Sequence, residues 1–137
     1  MEKILVIDGQ GGKIGRMVVE LLKERLPACE VCAVGTNSIA TAAMLKAGAD
    51  YGATGENPVA VNAADADIII GPLGLLVADA LHGEVTLGIV ASVGRSRAQK
   101  VLIPVSRCGV QVAGSNQLPP GELIAQAVSK AAEIITG

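Results

Sequence analysis

Short, continuous apolar runs alternate along this chain with longer segments in which apolar residues recur every three or four positions. The runs are typical of strands inside a parallel sheet, and the spaced pattern is typical of amphipathic helices. Strands are predicted at residues 3–8, 30–34, 51–54, 67–70 and 100–105. Helices are predicted at residues 13–26, 38–47, 58–64, 74–82 and 86–98, and from Pro119-Pro120 onwards. This alternation predicts an α/β fold with a Rossmann-like, doubly wound and mostly parallel sheet.

A tight turn in the C-terminal part of the chain adds one strand to this prediction. Ser106-Arg107-Cys108-Gly109 is short enough for a hairpin, so residues 110–113 are predicted to form an antiparallel strand at the edge. The sheet would then contain five or six strands. No linker or low-complexity segment divides residues 1–137, which are therefore predicted to form a single nucleotide-binding-like domain.

The carboxyl ends of the predicted strands carry glycine and small polar residues. These ends are residues 8–12, 35–38, 54–57, 71–74 and 106–108. Right-handed crossovers bring such ends to one edge of the sheet, and open α/β sheets bind ligands along that edge. The sequence therefore predicts one binding crevice built from five separate segments.

The strongest functional signal is the glycine-rich turn between the first strand and the first helix. Gly9, Gly12 and Gly15 fit the spacing G-x-x-G-x-x-G, although the strict dinucleotide spacing fails because position 14 is not glycine. A strand, a glycine turn and a helix N-terminus together bind nucleotide phosphates, and no Walker A lysine follows here. We predict that a phosphate-bearing ligand contacts the backbone N–H groups of residues 10–13. The alternative is that these glycines only form a tight turn.

The end of the second strand bears on the choice of nucleotide. Dinucleotide-binding sites carry Asp or Glu there for the ribose hydroxyls, whereas this chain has Gly35-Thr36-Asn37-Ser38. The absence of an acid favours NADP over NAD, because nothing would repel a 2′-phosphate, but it equally weakens the dinucleotide interpretation. The predicted ligand contacts are Gly9, Gln10, Gly11, Gly12, Lys13, Ile14, Thr36, Asn37, Ser38, Gly71 and Pro72.

Three residues are candidates for catalysis. Arg107 could bind a carboxylate or phosphate through two parallel hydrogen bonds, and the adjacent Cys108 could act as a nucleophile or redox group. Glu56 could serve as an acid or base. Structural alternatives remain open, with Cys108 as a small buried filler and the neighbouring Asn57 as part of a turn or helix cap. His82 is predicted to lie at the C-terminal end of a helix, where its side chain would interact favourably with the helix dipole.

Composition excludes several classes of function. The net charge is −2, and with one Tyr and no Trp or Phe the chain offers neither a basic field nor an aromatic platform for nucleic acid. Apolar stretches such as residues 68–78 are too short to span a bilayer, and no signal peptide is recognised, so we expect a cytoplasmic location. Cys29 and Cys32 spell C-x-x-C, but strand positions three apart point to opposite faces. We therefore expect reduced thiols and no metal site.

Further motifs are Val6-Ile7-Asp8-Gly9-Gln10-Gly11-Gly12, Gly35-Thr36-Asn37, Ala43-Met44-Leu45-Lys46-Ala47-Gly48-Ala49-Asp50, Gly52-Ala53-Thr54-Gly55-Glu56-Asn57, Ile70-Gly71-Pro72 and Ile103-Pro104-Val105-Ser106-Arg107-Cys108. In these segments the chain resembles a family of small, Rossmann-like bacterial proteins, known as a domain of unknown function and found mostly in anaerobes. The resemblance covers nearly the whole chain and implies no activity. The glycine pattern is also similar to the extended short-chain dehydrogenases, but their Tyr-x-x-x-Lys is absent, since Gly55 stands four residues after Tyr51.

Three hypotheses for the function follow. The leading hypothesis is a nucleotide-binding protein, with NAD(P) as the preferred ligand, in a binding, sensing or accessory role. The second is a small enzyme that acts on a phosphorylated or carboxylated metabolite, with Arg107 and Cys108 at its site. The third is a structural or interaction protein without a nucleotide ligand.

A homodimer is predicted from the apolar segment at residues 73–93. Asp79 is the only charged residue between positions 73 and 81, and residues 85–93 carry no charge. Helices that are apolar all round need cover on both sides, and a symmetric partner would provide it. The alternative is that these helices cover one another within a monomer.

Overall fold

A sheet of parallel strands forms the centre of the protein. The computed structural model describes residues 1–105, 108–115 and 117–137, and within these ranges the sheet has five strands. They are β1 (Lys3–Asp8), β2 (Glu30–Gly35), β3 (Tyr51–Thr54), β4 (Ile68–Pro72) and β5 (Gln99–Ile103). Their spatial order is β3-β2-β1-β4-β5, so the central strand β1 pairs with β2 on one side and with β4 on the other. The predicted doubly wound, Rossmann-like α/β arrangement is confirmed.

Helices cover both faces of the sheet. Those in the described ranges are α1 (Lys13–Arg25), α2 (Ser38–Lys46), α3 (Glu56–Ala63), α4 (Leu87–Arg95) and α5 (Pro120–Thr136), with a 3₁₀ turn at Leu73–Leu76. Helices α1, α2 and α5 pack on one face, and α3, α4 and the 3₁₀ turn pack on the other. Among the described helices, none combines the length and the hydropathy needed to cross a bilayer.

Burial on both faces explains why the central strands have continuous apolar sequences. In β1, Ile4 and Val6 contact the layer of α1, α2 and α5, whereas Leu5 and Ile7 contact the layer of α3 and α4. All four side chains are fully buried. Complete burial of such a side chain contributes roughly 1.5–3 kcal/mol, so β1 is a main source of hydrophobic stabilisation and holds its carboxyl end rigidly.

The predicted antiparallel edge strand at residues 110–113 is wrong. These residues are described and form no strand, and most of them are exposed. Cys108, Gly109 and Gly114 have φ angles of 48°, 85° and 79°, so the backbone turns on both sides of this segment instead of running extended beside β5. The sheet within the described ranges is therefore all parallel, with β5 at its edge.

The predicted helix at residues 74–82 is also wrong beyond its first turn. After the 3₁₀ turn, the chain forms an irregular turn at residues 77–85, which we call the Glu84 turn. Asp79, Leu81 and His82 have φ angles of 68°, 56° and 56°, which no right-handed helix accommodates. Leu81 is nevertheless buried in the core, so burial of its side chain stabilises a backbone conformation that its sequence disfavours.

The two cysteines of the C-x-x-C sequence lie in different layers of the core. Cys29, just before β2, packs in the layer of α1, α2 and α5, and Cys32, within β2, packs in the layer of α3 and α4. Both are buried and free. Burial raises the pKa of both thiols above the ordinary value, which suppresses their reactivity.

We expect the three thiols to differ sharply in reactivity. Cys108 is exposed, whereas Cys29 and Cys32 are buried. Labelling of the native protein with iodoacetamide, followed by peptide mass spectrometry, should modify Cys108 at least roughly a hundred times faster than either of the others. A disulfide between Cys29 and Cys32 in freshly purified protein would contradict the structure.

Candidate functional site

The topological switch point of the sheet lies beside the carboxyl end of β1. The chain passes from β1 outward to β2 and β3, and then returns to form β4 and β5 on the other side. Connections leave β1 and β4 in opposite directions at this point, and ligands of open α/β sheets bind in the resulting crevice. Residues 9–12, which we call the glycine loop, form the floor of the crevice.

The glycine loop is a tight turn that ends at the N-terminus of α1. The N–H of Gly12 donates to the carbonyl of Gly9 at 2.9 Å, and Gly12 has a left-handed φ of 74°. A Cβ at Gly12 would lie 2.8 Å from the Cα of Ala40 in α2. Gly12 is therefore required both for the turn and for the close approach of α1 to α2.

The buried carboxylate of Asp8 anchors the same turn from below. Its Oδ1 accepts from the N–H of Gly9 at 2.8 Å, and its Oδ2 accepts from the N–H of Gly15 at 2.7 Å. Burial raises the pKa of Asp8 above its ordinary value, hydrogen bonds from Gly15 and Gly9 oppose the rise, and the charge of Glu84 adds to it. Asp8 thus occupies donors at the positive end of α1 that a ligand would otherwise meet.

Two donors at the mouth of the turn remain available. Within the described residues, no group accepts a hydrogen bond from the backbone N–H of Gly11 or Lys13. Gly11 and the side chains of Lys13 and Arg16 are exposed. Positive charge and free N–H groups at a helix N-terminus suit an anion. Of the N–H groups predicted to contact a phosphate, those of Gln10 and Gly12 already donate to Glu84 and to the carbonyl of Gly9.

A carboxylate that sequence reasoning missed lies at the other end of the crevice. The Oε1 atom of Glu84 accepts from the N–H of Gln10 at 2.9 Å, from the Oγ1 of Thr36 at 2.6 Å and from the Nδ2 of Asn37 at 2.8 Å. Burial tends to raise the pKa of Glu84, but hydrogen bonds from Thr36, Gln10 and Asn37 outweigh it and hold the pKa below its ordinary value. Glu84 is therefore ionised at neutral pH.

The end of β2 is organised by Asn37. Its Oδ1 accepts from the N–H of Ala40 at 2.9 Å and so caps α2, while its Nδ2 also donates to the carbonyl of Gln10 at 2.9 Å. The structure thus brings Gln10, Thr36 and Asn37 together around Glu84. Ser38, the first residue of α2, is exposed beside them.

Four other predicted ligand contacts are buried or half-buried in the structure. Gly71 and Pro72 are buried at the end of β4, where Gly71 approaches the carbonyl of Ile7, so they present no open surface to a ligand. Ile14 is half-buried and packs against the core layer of α1, α2 and α5. Gly9 is buried opposite Thr36 and Glu84.

Of the three catalytic candidates, Arg107 lies outside the described residues. Glu56 begins α3, and Cys108 follows β5. The Oε1 of Glu56 accepts from the hydroxyl of Thr86, the residue that caps α4, so this carboxylate lies at the start of that helix. Cys108 is exposed and lines a cleft of about 560 Å³ together with Gln10 and His82. Within the described ranges, no three acidic, histidine or cysteine side chains are grouped as a metal site would require.

Comparison with known proteins places the chain in a family. Residues 3–136 match the family described as Domain of unknown function (DUF3842), and the chain belongs to that family. No curated protein matches it. Among solved structures, it is similar to the crystal structure of a dodecameric FMN-dependent Ubix-like decarboxylase from Escherichia coli O157:H7, with a TM-score of 0.47 and 12% identity over 98% of this chain and 94% of that chain. So distant a likeness transfers no function.

Proposed function

We propose that this protein binds a phosphate-bearing nucleotide, with NAD(P) as the leading candidate, in the crevice above β1 and β4. Its role is that of a binding, sensing or accessory protein in the cytoplasm. The observation that supports this proposal is the pair of unpartnered N–H groups, of Gly11 and Lys13, at the exposed N-terminus of α1 in the part of the chain that the structure describes. They lie at the switch point of the sheet, where dinucleotides bind in this class of fold.

Binding rather than catalysis is supported by how the acidic groups are used. Asp8 is buried under the glycine loop and accepts from two backbone N–H groups. Glu84 accepts from three donors, and Glu56 interacts with the cap of α4. Each carboxylate thus has structural partners, and among the described residues none of the three faces a thiol or histidine in a hydrogen bond. A site of this kind orients a ligand better than it transfers protons.

The proposal predicts that a charge placed at the mouth of the glycine loop blocks binding. Calorimetric titration of NAD, NADP, FAD, ATP and CoA should give a dissociation constant below millimolar for at least one of them. Gly11→Asp should weaken that binding by at least roughly tenfold, because the new carboxylate would repel the phosphate. A Cβ at Gly11 would have no neighbour within 4 Å, so the variant keeps its fold.

Gly121→Asp, in the first turn of α5, is the matched control. It adds the same charge, also in open space, but away from the glycine loop. It should bind like the wild-type protein. If no ligand in the panel binds below millimolar, the glycine loop is only a turn and the third hypothesis gains support.

We further propose that the protein is a homodimer, although the first of the two helices on which the prediction depended does not form beyond the 3₁₀ turn. Leu75 and Leu81 are buried within the chain itself. Exposed apolar side chains lie instead on α3 and α4, where Val61 is 61% and Leu87 is 72% exposed, as well as on α2. Between its first and last residues each of these helices is uncharged, which suits a symmetric contact with a second copy of the chain.

A further inference from the structure

The position of Glu84 bears on which nucleotide the proposed site selects. Dinucleotide-binding folds place the adenosine ribose at the end of β2, where an acidic residue accepts hydrogen bonds from its hydroxyls. Here β2 ends at Gly35, and the next residues, Thr36 and Asn37, are neutral. The structure nevertheless holds a carboxylate at this place, because the Glu84 turn brings one from 48 positions further along the chain to Thr36.

The carboxylate of Glu84 is oriented through one of its two oxygens. Oε1 receives donors from three separate segments, namely the N–H of Gln10, the hydroxyl of Thr36 and the amide of Asn37. Within the described residues, Oε2 receives no hydrogen bond. Charge-assisted hydrogen bonds fix the geometry of a carboxylate strongly, so Oε2 is held in place with its acceptor capacity unused.

The contacts between Glu84 and Thr36 depend on the absence of a side chain at Gly9 and on buried neighbours in the Glu84 turn. A Cβ at Gly9 would lie 2.6 Å from the Oγ1 of Thr36 and 2.9 Å from the Oε1 of Glu84, so any other residue at position 9 would push these groups apart. On either side of Glu84, Leu81 and Val85 are buried. The turn that presents the carboxylate is therefore anchored in the core and does not swing freely.

We propose that Glu84 is the ribose-recognition residue of the proposed nucleotide site and that it selects a ribose 2′,3′-diol over a ribose 2′-phosphate. The 2′-hydroxyl of NAD would donate to Oε2, as ribose hydroxyls do to the acidic residue of other dinucleotide sites. A 2′-phosphate is mostly doubly ionised at neutral pH, so it acts as an acceptor and would meet a like charge. The inference rests on the proposed function, and it reverses the preference for NADP that the absence of an acid in β2 suggested.

The discriminating experiment compares NAD and NADP, which differ by one phosphate. Isothermal titration calorimetry of the wild-type protein should show NAD binding at least roughly tenfold tighter than NADP. Glu84→Gln keeps the size of the side chain and removes its charge. It should weaken NAD binding by roughly fivefold or more and strengthen NADP binding, so that the ratio of the two constants falls by at least roughly tenfold.

Glu24→Gln, the same substitution on the exposed end of α1, is the control and should leave the ratio unchanged. Wild-type protein that binds NADP as tightly as NAD overturns the inference before any variant is made. A Glu84→Gln protein that weakens both ligands equally also overturns it, since Glu84 would then only support the loop, and the nucleotide site would stand. Absence of binding to both ligands in both proteins overturns the proposed function itself, and the inference with it.

Discussion

Gly12→Ala should lower the free energy of unfolding by about 2–4 kcal/mol, whereas Gly11→Ala, one position earlier, should change it by less than about 0.5 kcal/mol. Gly12 has a left-handed φ of 74°, and its Cβ would lie 2.8 Å from the Cα of Ala40 and 3.0 Å from the carbonyl oxygen of that residue. Backbone atoms of a helix cannot move aside cheaply. At Gly11 a Cβ has nothing within 4 Å.

Urea denaturation followed by circular dichroism measures both changes. The comparison isolates what distinguishes Gly12 from Gly11, namely its left-handed φ and its contact with α2, because both variants add one methyl group to the same loop. A Gly12→Ala protein as stable as Gly11→Ala would contradict this conformation of the glycine loop against α2. The free energy of unfolding is the quantity to compare, because a destabilised Gly12→Ala protein would lose ligand binding whatever the role of the loop.

The sequence alone predicted the strands that are buried along their whole length. β1 and β4 are covered on both faces, so every residue from Ile4 to Ile7 and from Ile68 to Ile70 is apolar, and the run itself marks the strand. The amphipathic helices α1 and α5 were also predicted from the sequence, because each buries one apolar face and exposes its opposite, polar face.

Prediction failed where tertiary contacts override local preference. The helix predicted at residues 74–82 ends at Leu76, and Asp79, Leu81 and His82 adopt left-handed φ angles although the apolar sequence around them favours a helix. Residues 110–113 carry two valines and follow a turn-forming segment, which is the local pattern of a strand. A strand also needs a partner at the correct register, and that information is not local.

The same distinction applies to the site. The glycine loop, Thr36 and Asn37 follow strands, so their position at one edge was predictable from topology alone. Glu84 was missed because it lies 74 positions from Gln10 in the sequence and does not follow a strand. Its one sequence signal is that it is a charged residue inside an otherwise apolar segment, with Asp79 as the only other charge between residues 73 and 94.

Two carboxylates therefore flank the glycine loop, and they divide the crevice electrostatically. Asp8 lies beneath the N-terminus of α1, and Glu84 lies beside the end of β2. The cationic side chains of Lys13 and Arg16 extend from the first turn of α1. In the proposed site a phosphate would accordingly lie near Gly11 and Lys13 rather than near Thr36, which is the polarity expected for a pyrophosphate followed by an unphosphorylated ribose.

The apolar surface of α3 and α4 leads to the second large prediction, that Leu87→Glu converts a dimer into a monomer. Leu87 is 72% exposed at the start of α4, and a buried glutamate without a partner would cost several kcal/mol at a symmetric interface, where it occurs twice. Light scattering at micromolar concentration should give twice the chain mass of 13.8 kDa for the wild-type protein and the chain mass for the variant.

Ile39→Glu is the matched control for this prediction. Ile39 is 69% exposed, similar to Leu87, but it lies on α2, which packs on the opposite face of the sheet. The control should therefore remain dimeric, because its charge would point into water in the dimer as well as in the monomer. Leu76→Glu, at the 3₁₀ turn beside α4, should behave like Leu87→Glu if the contact extends that far, since Leu76 is 37% exposed. A wild-type protein of monomeric mass, or a folded Leu87→Glu protein that stays dimeric, would show that α3 and α4 face solvent.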